Sequence, residues 1–237
     1  MANSWFDFKQ FRVEQENAAF KVGTDACLLG AWLKPKNAQH ILDIGTGSGV
    51  IALMLAQKST ALIEAIELDQ LSSGQAADNF VKSLWTHRLQ AIHIDLNDFV
   101  SKTNTKYDLI VCNPPFFAGS TKNIESRMSA ARHEEYLSLE SLLIHSYSLT
   151  NDIGQLALVM PFERLVQIEQ ECKKRKWFIE RKLSVRPKKD REFNRVIVLL
   201  SKNKNSKMDC EELTLHTDNH TYTQEAKQLL KPYYLNL

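Results

Sequence analysis

The sequence is poor in several features that would assign it to a specialised class of protein. No apolar run approaches the roughly 18–20 residues that a membrane-spanning helix needs, which excludes an integral helical membrane protein. Glycine and proline number only 8 and 6 among 237 residues, which excludes a collagen-like or largely disordered chain. The first residues carry no basic stretch leading into an apolar core, so they do not resemble a secretory signal.

The four cysteines are scattered, and none belongs to a CxxC pair. Their spacing fits neither a disulfide framework nor a zinc site, and it favours a reducing compartment. A hydrophobic fraction of 43% and a charged fraction of 24% are typical of a globular protein with a sizeable core. We therefore expect a cytoplasmic globular protein that binds no metal.

The net charge is only +2, but basic residues are concentrated between Lys173 and Arg195. This basic segment holds eleven lysines and arginines against three acidic residues, a local charge of +8 on an otherwise acidic chain. A localised positive patch predicts a polyanionic partner. The alternative is a solvated helix end and loop, and the charge run alone does not decide between the two.

Short apolar runs alternate with helix-like stretches through the middle of the chain, the pattern of a parallel sheet with helices on both faces. The last two predicted strands leave no room for a crossover helix between them, so they must be antiparallel. The predicted strands cover residues 40–44, 62–67, 89–94, 107–112, 155–160, 178–185 and 193–200. The predicted helices cover residues 50–56, 70–81, 139–149 and 163–176. We therefore expect an α/β, Rossmann-like fold with a mostly parallel seven-stranded sheet and an antiparallel edge hairpin.

A glycine-rich turn follows the first predicted strand and precedes the first predicted helix, at residues 45–49. In this context glycines let the backbone approach a nucleotide closely. Asp43, two residues before the turn, would repel a pyrophosphate but suits an ammonium group. Glu67 lies 22 residues after the first glycine, the offset of a carboxylate that accepts ribose hydroxyls. A plain strand-to-helix turn does not explain why carboxylates follow successive strands.

Turn and carboxylates together resemble the cofactor half of class I methyltransferases, which use S-adenosylmethionine (AdoMet). The resemblance implies that Asp43 faces the methionine ammonium group, that Glu67 binds the ribose and that Asp95 contacts the adenine amino group. The residues expected to bind AdoMet here are Asp43, Gly45, Thr46, Gly47, Gly49, Glu67, Leu68, Asp95, Leu96 and Asn113.

The most specific signal is the sequence Asn113-Pro114-Pro115-Phe116, directly after the fourth predicted strand. It matches the (D/N)PP(Y/F) motif of methyltransferases that act on planar amino or amide nitrogens. We expect the Asn113 side-chain oxygen and the Pro114 carbonyl to hold the two protons of such a nitrogen. The two prolines restrict the backbone and so present that carbonyl rigidly. Phe116 would offer a stacking surface worth roughly 1–3 kcal/mol per base.

A block at residues 20–32, FKVGTDACLLGAW, separates this chain from generic methyltransferases. Together with the glycine turn, NPPF and the string ARHE at residues 131–134, it resembles the bacterial tRNA (adenine-N6)-methyltransferases that modify valine tRNA. The resemblance runs from about Phe6 to Leu200 and implies methylation of adenine 37. It also implies that Thr24 and Asp25 lie against the methionine end of AdoMet. We expect three units: a lid-like extension (1–37), the methyltransferase domain (38–202) and a C-terminal extension (203–237).

If the partner is tRNA, its phosphate backbone is the polyanion that the basic segment would bind. We also expect residues 117–135 to form a mobile flap that becomes ordered when RNA binds. No obligate protein partner is evident from the sequence. The residues expected to contact RNA are Lys122, Arg132, His133, Lys188, Lys189 and Arg191.

Three alternatives stay open at this point. A ribosomal RNA methyltransferase with the same motif could act on adenine N6 or guanine N2. A protein glutamine N5-methyltransferase uses a similar motif on a planar amide, but usually carries a helical N-terminal domain that some 40 residues cannot supply. A non-catalytic AdoMet- or RNA-binding module is disfavoured by the intact motif residues.

Overall fold

The structure is a computed structural model, and it describes residues 3–35, 37–114, 137–205 and 207–237. A central eight-stranded sheet dominates the molecule. Its strands are β3 (His40–Ile44), β4 (Leu62–Glu67), β5 (Leu89–His93), β6 (Tyr107–Cys112), β7 (Thr150–Pro161), β8 (Phe178–Arg186), β9 (Arg195–Ser201) and β10 (Asp209–Thr214). A small antiparallel ribbon pairs β1 (Trp5–Asp7) with β2 (Arg12–Glu14).

The strand order across the sheet is β10-β8-β9-β7-β6-β3-β4-β5. All neighbouring pairs are parallel except the two that involve β9, which runs antiparallel to β7 and to β8. The carboxyl ends of β3 to β7 therefore lie at one edge, together with the start of β9 and the ends of β8 and β10. We call this the carboxyl edge.

The α/β, Rossmann-like prediction is confirmed, but the sheet has eight strands rather than seven, and the β8–β9 hairpin is not its edge. β10 adds to β8 in parallel and forms the outer strand. Its sequence, DCEELT, is acidic and lacks a clear alternation of apolar and polar residues. The sequence pattern therefore does not predict a strand here. Long-range ion pairs to β8 hold it there, Glu211 with Arg181 at 2.6 Å and Glu212 with Arg186 at 3.3 Å.

Seven α-helices are described. They are α1 (Thr24–Trp32), α2 (Val50–Ala56), α3 (Gln70–Val81), α4 (Leu96–Lys102), α5 (Leu139–Leu149), α6 (Leu165–Lys174) and α7 (Gln224–Leu230). Those at 24–32, 96–102 and 224–230 had not been predicted as helices. The helix expected at 163–176 begins instead with a 3₁₀ turn at Phe162–Arg164. No helix in the described part of the chain is long and apolar enough to cross a membrane.

Helices cover both faces of the sheet, as the continuous apolar runs of its inner strands require. Successive residues of a strand point to opposite faces, and in β3 the side chain of Ile41 packs into one apolar cluster and that of Leu42 into the other. The first cluster includes buried side chains of α1, α2, α3 and α7. The second includes those of α4, α5 and α6. Each face thus has its own core.

The two ends of the chain meet on the outside of α1 and α2. Lys9 N–H donates to the carbonyl of Tyr233 at 2.8 Å, and Phe8 forms an isolated β-bridge with Tyr234. The Tyr233 hydroxyl is buried and donates to the carbonyl of Met54 in α2 at 3.2 Å. The terminal segments therefore share a core with the central unit and hold α1 in place.

Candidate active site

A cavity of about 480 Å³ opens at the carboxyl edge of the sheet, where β3, β4, β5 and β6 end. The chain places β4 and β5 on one side of β3 and β6 on the other, so the cavity lies at the topological switch point, where open α/β sheets bind ligands. Its volume is in the range of small-molecule and cofactor sites. Residues 19–26 and Arg195 form a further part of its wall.

The glycine turn forms the floor of this cavity. Gly45, Gly47 and Gly49 all have positive φ angles, of +69°, +56° and +85°, which other residues adopt only at a cost. At Gly49 a Cβ would also lie 2.5 Å from the ring of Phe80. The N–H groups of Gly45 and Thr46 donate to the carbonyl of Ile66, at 2.9 and 3.1 Å, so the turn is fixed against the end of β4.

Asp43 lies beneath the turn and is completely buried. One carboxylate oxygen, Oδ2, accepts a hydrogen bond from the Thr46 hydroxyl at 2.6 Å, while Oδ1 has no hydrogen-bond partner among the described residues. Burial raises the pKa of Asp43 to about 7. Asp43 is not among the residues that line the cavity, whereas Thr46 is. A contact between Asp43 and an ammonium group stays a prediction, and the visible role of Asp43 is to brace the turn.

Glu67 lines the cavity at the end of β4. Its Oε2 accepts from the Gly47 N–H at 2.8 Å, and its Oε1 accepts from the Asp69 N–H at 3.0 Å. These two hydrogen bonds fix the orientation of the carboxylate next to the glycine turn. Because a carboxylate can accept about four hydrogen bonds, each oxygen can accept one more. The side chain is thus held in one orientation, with capacity for a ligand hydroxyl. Leu68 lines the same wall.

Asp95 caps the N-terminus of α4, where its Oδ1 accepts from the Asn97 N–H at 2.7 Å. Asp95 and the following Leu96 both line the cavity beyond Glu67. The Ile94 N–H donates to the carbonyl of Glu67 at 3.0 Å, which fixes the two carboxylates relative to each other. The structure therefore brings Glu67 and Asp95 to adjacent strand ends, as the sequence predicted.

Asn113 and Pro114 line the cavity at the end of β6. The Asn113 side-chain oxygen, Oδ1, is buried and has no hydrogen-bond partner among the described residues. A buried acceptor without a donor costs about 1–3 kcal/mol, so the position favours a ligand that donates a hydrogen bond. Five other predicted site residues lie outside the described residues: Pro115, Phe116, Lys122, Arg132 and His133.

The wall opposite the glycine turn is the N-terminal segment that leads into α1. Thr24 and Asp25, in the first turn of α1, line the cavity. The carboxylate of Asp25 accepts from Arg195 Nε at 2.8 Å. Arg195 is the first residue of β9 and also lines the cavity. From the sequence, Arg195 was counted only as part of the basic segment. No local sequence pattern indicates that Arg195 belongs to the cavity, because its partner Asp25 lies 170 residues away in the chain.

Helix α3 holds this N-terminal wall and the glycine turn together. The Asn79 amide donates to the carbonyl of Ser48 at 2.9 Å and to that of Glu14 at 2.8 Å, and its oxygen accepts from the Glu14 N–H at 3.0 Å. The Ser72 hydroxyl accepts from the Ala19 N–H at 2.9 Å. Neither Asn79 nor Ser72 was predicted to belong to the site, because each resembles an ordinary polar position of an amphipathic helix.

The basic segment is divided by the structure. Several of its arginines form ion pairs with acids elsewhere in the chain: Arg175 with Glu140 and Glu171, Arg181 with Glu211, Arg186 with Glu212 and Arg195 with Asp25. These ion pairs neutralise part of the charge of the basic segment, and the contact of its remaining basic residues with a polyanion stays a prediction. The loop at 187–194 carries three of the predicted RNA contacts, Lys188, Lys189 and Arg191.

This loop lies at the carboxyl edge, on the same side as Asn113. Lys189 and Arg191 are exposed. Lys188 Nζ donates to the carbonyl of Asp218 at 3.1 Å, and Arg191 lies 3.8 Å from Asp190. The loop therefore carries a modest positive charge, and its contact with RNA stays a prediction.

Comparison with known proteins indicates a methyltransferase family. The family model described as "Methyltransferase small domain" matches residues 15–141. The chain is 40% identical over 237 residues, which is all of both chains, to a protein of Parabacteroides distasonis named tRNA1(Val) (adenine(37)-N6)-methyltransferase. A protein of the same name from Trichodesmium erythraeum is 40% identical and covers 99% of each chain.

Solved structures support the fold alone. A predicted O-methyltransferase from Agrobacterium tumefaciens superposes with a TM-score of 0.69 and 17% identity, over 88% of this chain and 96% of the other. The full-length relatives and the matching family model show the family. The chain belongs to the family of tRNA1(Val) (adenine(37)-N6)-methyltransferases, within the methyltransferase small-domain group.

Proposed function

We propose that the protein transfers a methyl group from AdoMet to the exocyclic N6 of an adenine in tRNA, and that its target is adenine 37 of valine tRNA. The observation that carries the chemistry is the buried Oδ1 of Asn113 in the cavity wall, which has no hydrogen-bond partner among the described residues. The substrate is carried over from the names of the full-length relatives. A tRNA substrate also agrees with a cytoplasmic location.

The cavity residues fit AdoMet in type and in order. The strands β5, β4, β3 and β6 are neighbours in that order. Their carboxyl ends carry, in the same order, Asp95, Glu67, the glycine turn and Asn113. Glu67 would accept the ribose hydroxyls and Asp95 the adenine amino group, so the adenosine lies towards β5. The sulfonium end then lies towards β6 and Asn113. AdoMet, when bound, supplies a methyl group on a sulfonium, which is a good leaving group.

Asn113 and Pro114 act on the acceptor nitrogen. The lone pair of an exocyclic amine is delocalised into its ring, so the nitrogen is a poor nucleophile. The Asn113 oxygen and the Pro114 carbonyl would accept hydrogen bonds from its two N–H groups and so direct the lone pair at the methyl carbon. After the transfer, one of these two protons would be released to water. Because positioning supplies much of the rate, no general base is required. Phe116 would stack on the target base.

Metal-independent chemistry is part of the proposal. Among the described residues no group of three or more His, Cys, Asp or Glu side chains is arranged to hold a metal ion. Methyl transfer from a sulfonium to a positioned nitrogen needs no Lewis acid, so we expect full activity in the presence of EDTA.

Loop 187–194 is the proposed RNA contact next to the site. It connects Arg186 at the end of β8 with Arg195 in the cavity wall, so an RNA that delivers a base to Asn113 would pass beside Lys188, Lys189 and Arg191. The predicted contacts of Lys122, Arg132 and His133 belong to the same proposal.

The test is methyl transfer from labelled AdoMet to separate tRNA, rRNA and protein fractions, followed by mass spectrometry of the nucleosides. We expect label in tRNA as N6-methyladenosine, at a single site in valine tRNA. A matched control is Asn205→Ala, an exposed asparagine beyond the end of β9 at the opposite edge of the sheet, which should leave the product and its yield unchanged. Methylguanosine, or label in rRNA only, would contradict the proposal.

A further inference from the structure

A second cavity, of about 320 Å³, lies away from the active site, where α1, α2 and α7 end. Helices α1 and α2 begin at the wall and the floor of the active-site cavity and run towards the opposite edge of the sheet. The nine residues of α1 span about 13 Å, at 1.5 Å per residue, and the described residues that line the two cavities are different. The volume of the second cavity is at the small end of the range for ligand sites, which suits a ligand of the size of a sugar phosphate.

Lys58 lines this second cavity and is held there by the end of α1. Its Nζ donates to the carbonyls of Ala31 and Leu33, at 3.0 and 2.6 Å. It also lies 5.6 Å from the centre of the Tyr233 ring, within the range of a cation–π contact. An ammonium group has three N–H donors, so one of them is left for a ligand. Two carbonyls and an aromatic ring thus orient the charge of Lys58, and none of them is an anion.

Lys34 adds a second positive charge to the same cavity. It is exposed, and it forms no hydrogen bond or ion pair with the other described residues. Burial, and after it the charge of Lys34, lowers the pKa of Lys58 to about 8. Among the described residues that line the cavity, these two lysines are the only charged groups. An anion between them would relieve both their repulsion and the desolvation of Lys58.

Gln57 adds a hydrogen-bond acceptor to the lining of this cavity. Its Nε2 donates to the carbonyl of Pro232 at 3.0 Å. Its Oε1 is buried and has no hydrogen-bond partner among the described residues, which is unfavourable for a polar atom. A hydroxyl group of a ligand would supply the missing donor. The cavity therefore offers two cations for a phosphate and one acceptor for a hydroxyl group.

We infer that the second cavity binds a ribose phosphate, with Lys34 and Lys58 on the phosphate and the Gln57 oxygen on a ribose hydroxyl. A ribose phosphate carries both groups on one small unit. The same unit occurs in free nucleotides and in the backbone of RNA, where a 2′-hydroxyl accompanies each phosphate. Because this site lies at the far ends of α1 and α2, the inference does not depend on the proposed methyl transfer.

Calorimetry with ribose 5-phosphate and with inorganic phosphate tests the inference. We expect the wild type to bind both probes, and ribose 5-phosphate more tightly. Lys34 is the cation to change, because it is exposed, whereas Lys58 also holds the end of α1. Lys34→Met should weaken both probes about tenfold, since it removes a charge-assisted hydrogen bond, and Lys34→Arg should restore most of the affinity. Gln57→Leu should weaken ribose 5-phosphate and leave the affinity for inorganic phosphate unchanged.

Lys173→Met is the matched control, because it removes an exposed lysine from α6, on the other face of the sheet, and it should leave both affinities unchanged. Unchanged affinities in Lys34→Met, or no binding of either probe to the wild type, would overturn the inference. An equal loss of both probes in Gln57→Leu would overturn the role of its oxygen.

The salt dependence of tRNA affinity distinguishes the two sources of the ribose phosphate. If the site binds RNA, Lys34→Met should flatten the logarithmic slope by about 0.7–0.9. If ribose 5-phosphate binding falls in Lys34→Met and the slope for tRNA does not change, the ligand is a free ribose phosphate.

Discussion

Replacing Asp43 by asparagine should stabilise the folded protein at high pH. The carboxyl group of Asp43 is completely buried, and its pKa is raised from about 3.8 to about 7. Burial is the main cause, because it disfavours the charged form. The folded state then binds a proton more tightly than the unfolded state does, so ionisation of Asp43 above neutral pH opposes folding.

The size and direction of this effect follow from the two pKa values. A shift of about three units corresponds to about 4 kcal/mol of free energy, at 1.36 kcal/mol per unit. The contribution of Asp43 to stability is highest below pH 4, falls between pH 4 and 7, and is constant above that. Asparagine has nearly the same shape and no charge. Asp43→Asn should therefore gain up to about 4 kcal/mol over the wild type at pH 8, and this gain should disappear near pH 4.

The assay is urea denaturation of both proteins at intervals between pH 4 and 8. Asp108→Asn is the matched control with the opposite sign. Burial alone would raise the pKa of Asp108, but N–H donors of His40 and Gln39 and the amide of Asn151 lower it. The lowered pKa of Asp108 stabilises the wild type above the usual value of 3.8, and this contribution is lost only as the pH falls below it. Asp108→Asn should therefore be less stable than the wild type by an amount that stays constant between about pH 5 and 8. A difference between wild type and Asp43→Asn that does not change with pH would refute the reasoning.

Three further predictions concern ligands. Glu67→Ala should weaken AdoMet binding by about 1.5–3 kcal/mol in calorimetry, because it removes charge-assisted hydrogen bonds, and unchanged affinity would exclude the ribose assignment. Phe116→Ala should raise the KM for tRNA and leave AdoMet affinity unchanged; normal tRNA kinetics would rule out the stacking role. Changing Lys188, Lys189 and Arg191 to alanine should lower tRNA affinity and flatten its salt dependence, by about 0.7–0.9 in logarithmic slope per lost phosphate contact, and an unchanged slope would place the RNA elsewhere.

The parts of the site that could be predicted from the sequence are those encoded by neighbouring residues. The glycine turn and Glu67 follow their strands closely, so spacing alone placed them at adjacent strand ends. Arg195 could not be recognised in this way, because its partner Asp25 comes from a distant part of the chain. The sequence shows that Arg195 is charged, and only the fold shows which surface that charge faces.

The strand that was not predicted and the neutralised part of the basic segment share one physical cause. β10 is acidic and β8 is basic, and β10 appears as an exposed, polar segment when it is considered alone. Paired side by side, their opposite charges form cross-strand ion pairs, Glu211 with Arg181 and Glu212 with Arg186. This pairing supplies the eighth strand and neutralises part of the charge of the basic segment.

The role of Asn113 is the central claim, and single-turnover methylation of tRNA tests it most directly. With excess enzyme and saturating AdoMet, Asn113→Ala should form N6-methyladenosine about a hundredfold more slowly than the wild type, while calorimetry shows AdoMet affinity within about threefold of the wild-type value. That result is expected if the Asn113 oxygen holds the acceptor nitrogen. A nearly normal single-turnover rate in Asn113→Ala would contradict the account.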